Sequence, residues 1–278
     1  NILSGGVDYL NMHQAGEPCV YQNSIEQWRF FFELNKVDVI IHNAAVVNTE
    51  VVGMNLERAT RTNDEGTYKI CMAAQKCDIP VCYMGTTVIY DAFKYQNEKI
   101  TEKSDYGPHT LYGCQKLAAE YIVKSHAPKW MIIRPLFAYG GKGDMNSLIA
   151  KSIYACLSEK QVEMRLDPMK FKDYMYVSDY ANAVLTGITQ HLWNEEWNIA
   201  AETPLQTWEI IETIENVCML DMKNTIIWKH KSDYTGNHRL DSSKFRNATG
   251  WKPKVTLIEG IKMAYETIIR SNDYNPLI

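Results

Sequence analysis

The chain has 278 residues, 46% of them hydrophobic and 22% charged, which is enough for one large domain or two lobes around a substantial core. Its formal net charge of -4 and pI of about 6 leave no electrostatic footprint for nucleic acid. Seven cysteines (Cys19, Cys71, Cys77, Cys82, Cys114, Cys156 and Cys218) are odd in number and free of close pairs, which argues against a disulfide framework and against a metal site and favours a reducing compartment.

The chain opens NILSGGVDYLNMHQAG. ILSGG looks like the first half of a phosphate-cradling glycine loop, but Gly5 and Gly6 run into Val7 and Asp8 and the next glycine is Gly16. There is no charged-then-apolar leader and no apolar run of roughly 18 residues, so a cytosolic location with no membrane partner is expected. SIEQWRFFFELN has helical spacing with Ser24 as its N-cap. VDVIIH reads as a buried strand, NDEGTYKICMAAQKC as a helix and IPVCYMGTT as a second buried strand. LYGCQKLAAEYIVKS is a strong helix and WMIIRP a third strand. This alternation predicts an α/β fold, a parallel sheet flanked by helices, with its ligand site at the C-terminal strand ends. FAYGGKGD then reads as a glycine-rich loop, SLIAKSIYACLSE as a helix, YMYV as a strand, DYANAVLTGITQHL as a helix, WNIA as a short strand and VTLIEGIKMAYETIIR as a capped helix.

Tyr112 and Lys116 are four apart on a predicted helix and so project from one face. An ammonium near a phenol stabilises the phenolate, and a cationic nicotinamide ring does so further. Such a tyrosine can take a proton from an alcohol while hydride leaves the same carbon. A YxxxK pair alone is common, and an ordinary surface pair is its simplest reading. Context strengthens it: IPVCYMGTT ends in Thr86 and Thr87, and a hydroxyl at a strand end can hold the reacting oxygen. Two threonines in that place are otherwise a turn or a cap. After VDVIIH, the small residues of HNAA allow a flat cofactor close to the backbone, or simply tight packing. His42, at the end of a buried strand, reads as a satisfied structural histidine.

The order VDVIIHNAA, NDEGT, YMGTTVIYD, YGCQK, IIRPLFAYG, KDYMYVSDYANAV and LDSSKFRNATGWKPKVTLIEGI resembles the extended short-chain dehydrogenase/reductases, particularly their nucleotide-sugar epimerase/dehydratase group. The likeness spans roughly residues 37–270 and implies a Rossmann-like doubly wound sheet with a smaller, interleaved C-terminal substrate lobe. The expected division is 1–140 plus 174–200 for the dinucleotide lobe and 141–173 plus 201–278 for the substrate lobe. The implied cofactor is NAD or NADP, with NAD favoured. Tyr112, Lys116 and Thr86 match the catalytic set. Asn43, Ala44, Val47, Asn63, Leu136, Tyr112 and Lys116 match cofactor-lining positions. Thr87, Phe137, Lys172 and Arg239 fall where the family meets its substrate. Upstream of residue 37 the resemblance fails: the family's glycine-loop unit has no clear counterpart, and an acidic reader of the adenosine is expected near Tyr21 and Gln22.

Departures narrow the chemistry. Sugar 4,6-dehydratases carry an Asp-Glu pair after the Thr, and Thr87 and Val88 stand in those places. Neither shuttles a proton, so epimerisation or 4-keto reduction of a nucleotide sugar is expected over elimination. Phe137 replaces a frequent Asn, and Lys172 replaces an arginine, keeping the charge and losing the bidentate fork. A non-catalytic binding protein on the same fold, or an oxidoreductase acting on a non-sugar alcohol or ketone, are the alternatives. The family's habit of pairing its NxxGT and YxxxK helices implies a homodimer, here through Tyr68, Met72, Leu117 and Tyr121.

Overall fold

The computed structural model describes residues 2–4, 23–47, 55–141, 147–158, 160–164, 166–221, 225–229, 237 and 239–270. Gly5, Gly6, Tyr21 and Gln22 lie outside them. The chain divides into two compact units, 1–91 with 102–135 and 184–198, and 92–101 with 136–183 and 199–278.

The first unit carries a sheet in the order β1-β2-β3-β4-β9: β1 Ile2–Ser4, β2 Val39–His42, β3 Val81–Met84, β4 Trp130–Pro135 and β9 Glu195–Ile199, the last running into the second unit. The first four are parallel, with Ile2 opposite Val39, Ile40 opposite Val81 and Cys82 opposite Met131. All four residues of β3 and the middle four of β4 are buried, which is why β3 reads as an unbroken apolar run and β4 as one interrupted by Arg134. Helix α1 (Ile25–Leu34) starts at Ser24, whose side chain accepts from Gln27 N while the Gln27 side chain accepts from Ser24 N. Its Trp28 and Phe32 pack with Ile40, Ile70 and Val81.

One helical rod follows β2: α2 (Leu56–Thr60), a π turn (Arg61–Glu65) and α3 (Gly66–Cys77). The sequence predicts an ordinary helix over NDEGT. The structure inserts a π turn there, closed by Gly66 N donating to Arg61 O, because Asn63 is held from outside the helix. Helix α4 (Leu111–His126) is capped by Thr110, whose hydroxyl accepts from Gly113 N at 3.0 Å. A Cβ on Gly113 would meet Val88 O at 2.8 Å, so the glycine lets α4 start directly against the turn after β3. Ala119 and Val123 of α4 pack on Tyr83 and Ile132 of the sheet.

In the second unit, FAY of the predicted glycine loop forms β5 (Phe137–Tyr139). It runs parallel to β8 (Tyr174–Tyr176), with Phe137 opposite Tyr174. Three further helices, α5 (Leu148–Leu157), α7 (Thr207–Cys218) and α9 (Leu257–Arg270), supply Ile149, Ile153, Ile210, Ile214, Ile261 and Ile268 to one core. Each fully buried side chain of this kind contributes about 1.5–3 kcal/mol. Helix α6 (Val177–Thr189) precedes α7, and its Asp179 accepts from Lys254 N and Val255 N at 3.0 and 2.8 Å, fixing the approach to α9. Thr256 and Glu259 then close a capping box at the start of α9. Among the described residues no helix is long and apolar enough to cross a membrane.

Candidate active site

Thr86 follows β3 by one residue beyond Gly85, in extended conformation, and its hydroxyl accepts from Val88 N at 3.4 Å to cap the short turn Thr87–Ile89. The same hydroxyl favours ionisation of the Tyr112 phenol at the start of α4. Burial pushes the Tyr112 phenol up to about 12, and the Thr86 hydroxyl pulls against that rise. The sequence alone suggested that Lys116 would draw the phenol down. Burial outweighs it, since the Lys116 ammonium is turned onto other partners.

Lys116 is 3% exposed. Its Nζ donates to Met84 O at 2.5 Å and lies 4.1 Å from the centre of the Tyr83 ring. Burial brings this amine down to about 7, against the charges of Glu120 and Asp64, which hold it up. Thr87 is buried in its turn, 2% exposed.

The residues after β2 are held by Asn63. Its Oδ1 accepts from Val46 N at 2.8 Å, and its Nδ2 donates to Val46 O at 3.1 Å and to Gln115 Oε1 at 3.0 Å. Asn63 is 1% exposed, and this amide serves the backbone and the helix beside it. Asn43 and Val47 are exposed on the segment it clamps, and Ala44 is buried. The Thr67 hydroxyl donates to Asn63 O at 2.6 Å, which leaves it an acceptor for His42 Nε2 at 2.9 Å. That pattern assigns the His42 proton to Nε2. Burial, with Lys116 adding to it, lowers His42 to about 3, so it stays neutral, the satisfied structural histidine its position predicts.

In the second unit, Leu136 is 8% exposed and its N donates to Ile199 O at 3.2 Å. Phe137 stacks on Tyr174 with centroids 5.3 Å apart. Lys172, in β7 (Phe171–Lys172), places Nζ 5.5 Å from the Phe137 ring centre. Arg239 rests its guanidinium 4.2 Å from the Phe171 ring centre, and its buried Nε has no hydrogen-bond partner. A separate cavity of about 470 Å³, lined by Tyr174, Thr203, Leu205, Val255 and Leu257, is mostly apolar and holds none of the residues the sequence singled out.

Sequence reasoning missed three features of the first unit. Arg134, the one charge inside WMIIRP, is fully buried. It donates from Nε and Nη2 to Glu120 (2.7–3.2 Å), from Nη1 to Tyr90 Oη (2.6 Å) and from Nη2 to Tyr106 Oη (2.8 Å). A lone arginine in an apolar strand was the available signal, because such a charge needs a partner. Tyr83 lies under Lys116, and Asp64, on the π turn, has a carboxyl oxygen sealed from solvent without a hydrogen-bond partner. Neither Tyr83 nor Asp64 carried a signal in isolation.

Comparison with known proteins agrees with this architecture. The mouse dTDP-D-glucose 4,6-dehydratase is 25% identical over 258 residues, which cover 89% of this chain and 72% of that protein. The dTDP-glucose 4,6-dehydratase of Escherichia coli is 22% identical, over 88% of this chain and 76% of its own. Among solved structures, a Thermotoga maritima UDP-glucose 4-epimerase with UDP-glucose superposes with TM-score 0.80 at 22% identity, covering 91% of this chain and 85% of that one. A Bacillus anthracis dTDP-glucose 4,6-dehydratase in complex with NAD gives TM-score 0.81 at 20% identity, covering 96% and 84%. These structures share the Rossmann-type fold. Residues 20–200 match the NAD dependent epimerase/dehydratase family, and the chain belongs to that family.

Proposed function

We propose that the protein is an NAD-dependent epimerase or 4-ketoreductase of a nucleotide sugar, with Thr86, Tyr112 and Lys116 as its proton-transfer site. The observation that carries this reading is the half-buried Tyr112 phenol, whose proton affinity the Thr86 hydroxyl lowers, with Lys116 one helical turn further on. The residues fit the nicotinamide end of the cofactor: Lys116 has a single carbonyl as its hydrogen-bond acceptor, which leaves donors of its ammonium for ribose hydroxyls. Bound NAD supplies the hydride acceptor and donor. Tyr112 gives or takes the proton at the sugar oxygen, and Thr86 holds that same oxygen. At neutral pH burial keeps the phenol protonated, so the resting site is set to donate a proton to a ketone oxygen.

Thr87 and Val88 support the choice against dehydration. Elimination of water needs an acid and a base on the substrate side. An aliphatic side chain and a buried threonine hydroxyl offer neither. Lys172 and the unpartnered Nε of Arg239 are the cations the second unit offers to a diphosphate. A homodimer through α3 and α4 rests on Tyr68 and Tyr121, 38% and 55% exposed on those helices.

The test begins with the purified protein. Denaturation is expected to release NAD(H), or titration to show its binding; neither one occurring ends the enzyme reading. Incubation with sugar nucleotides is expected to give an epimer or a reduced sugar, and a 4-keto-6-deoxy product would overturn the argument from Thr87 and Val88. Tyr112→Phe is expected to lower kcat by about 10²–10⁴-fold with cofactor binding retained.

A further inference from the structure

Lys116 stands on α4 in a place that is costly for an ammonium. It is buried, and among the described residues it enters no ion pair. Both oxygens of Glu120, the acid one turn further along α4, are taken by Arg134. A buried charge needs a partner. What meets this one is β3: Nζ donates to Met84 O at 2.5 Å and lies 4.1 Å from the centre of the Tyr83 ring. Two consecutive residues of one strand form its seat, a carbonyl and a ring face.

The ring is fixed by its surroundings. Tyr83 is 1% exposed and packs with Cys71 of α3, Ala119 and Val123 of α4 and Ile132 of β4. Its ring centre is 5.5 Å from that of His42 on β2. Its hydroxyl, by contrast, is sealed from solvent and has no hydrogen-bond partner among the described residues. A buried hydroxyl left unpaired costs its desolvation and returns nothing, so the part of Tyr83 that has a task is the ring. An aromatic face attracts an ammonium through its quadrupole, most strongly where water is excluded.

We propose that the Tyr83 ring face takes the place of a carboxylate counter-ion for Lys116 and, through Lys116, that Tyr83 is a positioning residue for proton transfer at Tyr112. The second half of this proposal rests on the reading of Thr86, Tyr112 and Lys116 given above. A ring suits the lysine's task. A carboxylate takes N–H donors in directed hydrogen bonds, whereas a ring face holds the charge and, with one donor on Met84 O, leaves donors for the hydroxyls of a bound ribose. The other groups around the ammonium leave the ring this role. His42 of β2, Cys71 of α3 and Tyr112 of α4 are neutral at pH 7. Burial lowers Lys116 to about 7, and the charges of Glu120 on α4 and Asp64 on the π turn act against that fall without pairing with it. The ring face acts in the same direction as those charges.

The test replaces Tyr83 in the full chain with phenylalanine, then with phenylalanines carrying one, two and three ring fluorines. Each fluorine weakens the negative face with little change of size. ¹³C NMR of the cofactor-free protein labelled at lysine Cε, with the resonance assigned from Lys116→Met, reads the Lys116 midpoint. The midpoint is expected to keep its wild-type value in Tyr83→Phe and to fall stepwise along the fluorinated series, by about one pH unit at its end. A flat series makes the ring mere packing and overturns the proposal. A Tyr83→Phe midpoint as low as that of Tyr83→Leu gives the effect to the hydroxyl and overturns it too; the fluorinated series decides the matter even where Tyr83→Leu does not fold. With NAD and a nucleotide sugar, the kcat–pH profile is expected to follow the midpoint along the series with KM unchanged. A falling midpoint with an unmoved kcat profile overturns the positioning role alone. A wild type without turnover overturns the enzymatic reading and leaves the NMR result standing.

Discussion

Arg134 and Lys116 are two cations sealed inside the same unit, and α4 serves both. Glu120 sits one helical turn after Lys116 and gives both oxygens to Arg134. Arg134 spends every nitrogen on a partner: Glu120, Tyr90 and Tyr106, with Tyr90 Oη donating onward to Asn198 Oδ1 at 2.8 Å. Burial alone would lower its guanidinium, and the hydrogen bonds and charge of Glu120 raise it well above the ordinary value instead. Lys116 has one carbonyl and a ring face, and its amine falls to about 7. The difference is one of saturation. A saturated buried charge is fixed, and an unsaturated one is left able to titrate and to donate to a ligand's hydroxyls.

The largest effect should come from breaking the saturated site. Glu120→Ala leaves Arg134 buried without its carboxylate and is expected to destabilise the fold by about 3–5 kcal/mol in urea denaturation. The double variant Glu120→Leu/Arg134→Met is expected to recover most of that loss; a double variant as unstable as the single one would show that the pair is more than mutually compensating. The unsaturated site should behave in the opposite way. Lys116 binds its proton more weakly folded than unfolded, so between about pH 7 and 10.5 the unfolded chain holds more protons and stability rises with pH. The Lys116 part of that slope is at most about 1.4 kcal/mol per pH unit. Lys116→Met is expected to flatten the slope, and an identical slope in the two proteins would contradict the depressed amine. The smallest effect belongs to an exposed pair. Arg29 and Glu33 meet at 2.9 Å on the surface of α1, and Arg29→Ala is expected to change stability by less than about 0.5 kcal/mol.

The sheet was legible because VDVIIH, IPVCYMG and WMIIRP each carry a short apolar run without polar alternation, as strands buried on both faces do. Ser24 was an equally local signal, a small hydroxyl residue just before helical spacing begins. Tyr112, Lys116 and Thr86 could be singled out because their spacing is fixed by one helix turn and one strand end. The π turn could not be read, since nothing within NDEGT demands it; Val46 and Gln115, 17 and 52 residues away from Asn63, hold it in place. The same holds for Arg134, whose partners Tyr90, Tyr106 and Glu120 come from separate segments. FAYGG was misread as loop throughout because Gly140 and Gly141 mask a three-residue strand that only the partner strand β8 stabilises. Spacing gives the nearness of Lys116 to Tyr112, whereas the burial that raises the phenol is a property of the assembled unit.

The π turn also sets a rule for the length of the chain. It inserts one residue beyond the α repeat, which puts the helix before it and the helix after it about 100° out of phase. Deleting any single residue of 61–65 would let the rod close as a continuous α-helix and swing one half of it around its axis. Asn63 would then lose Val46 and Gln115 together, releasing the segment after β2 and the helix that carries Tyr112 in a single step. Substitutions at this stretch act on one contact at a time, whereas a change of length acts on all of them, so gaps should be rarer here than side-chain changes.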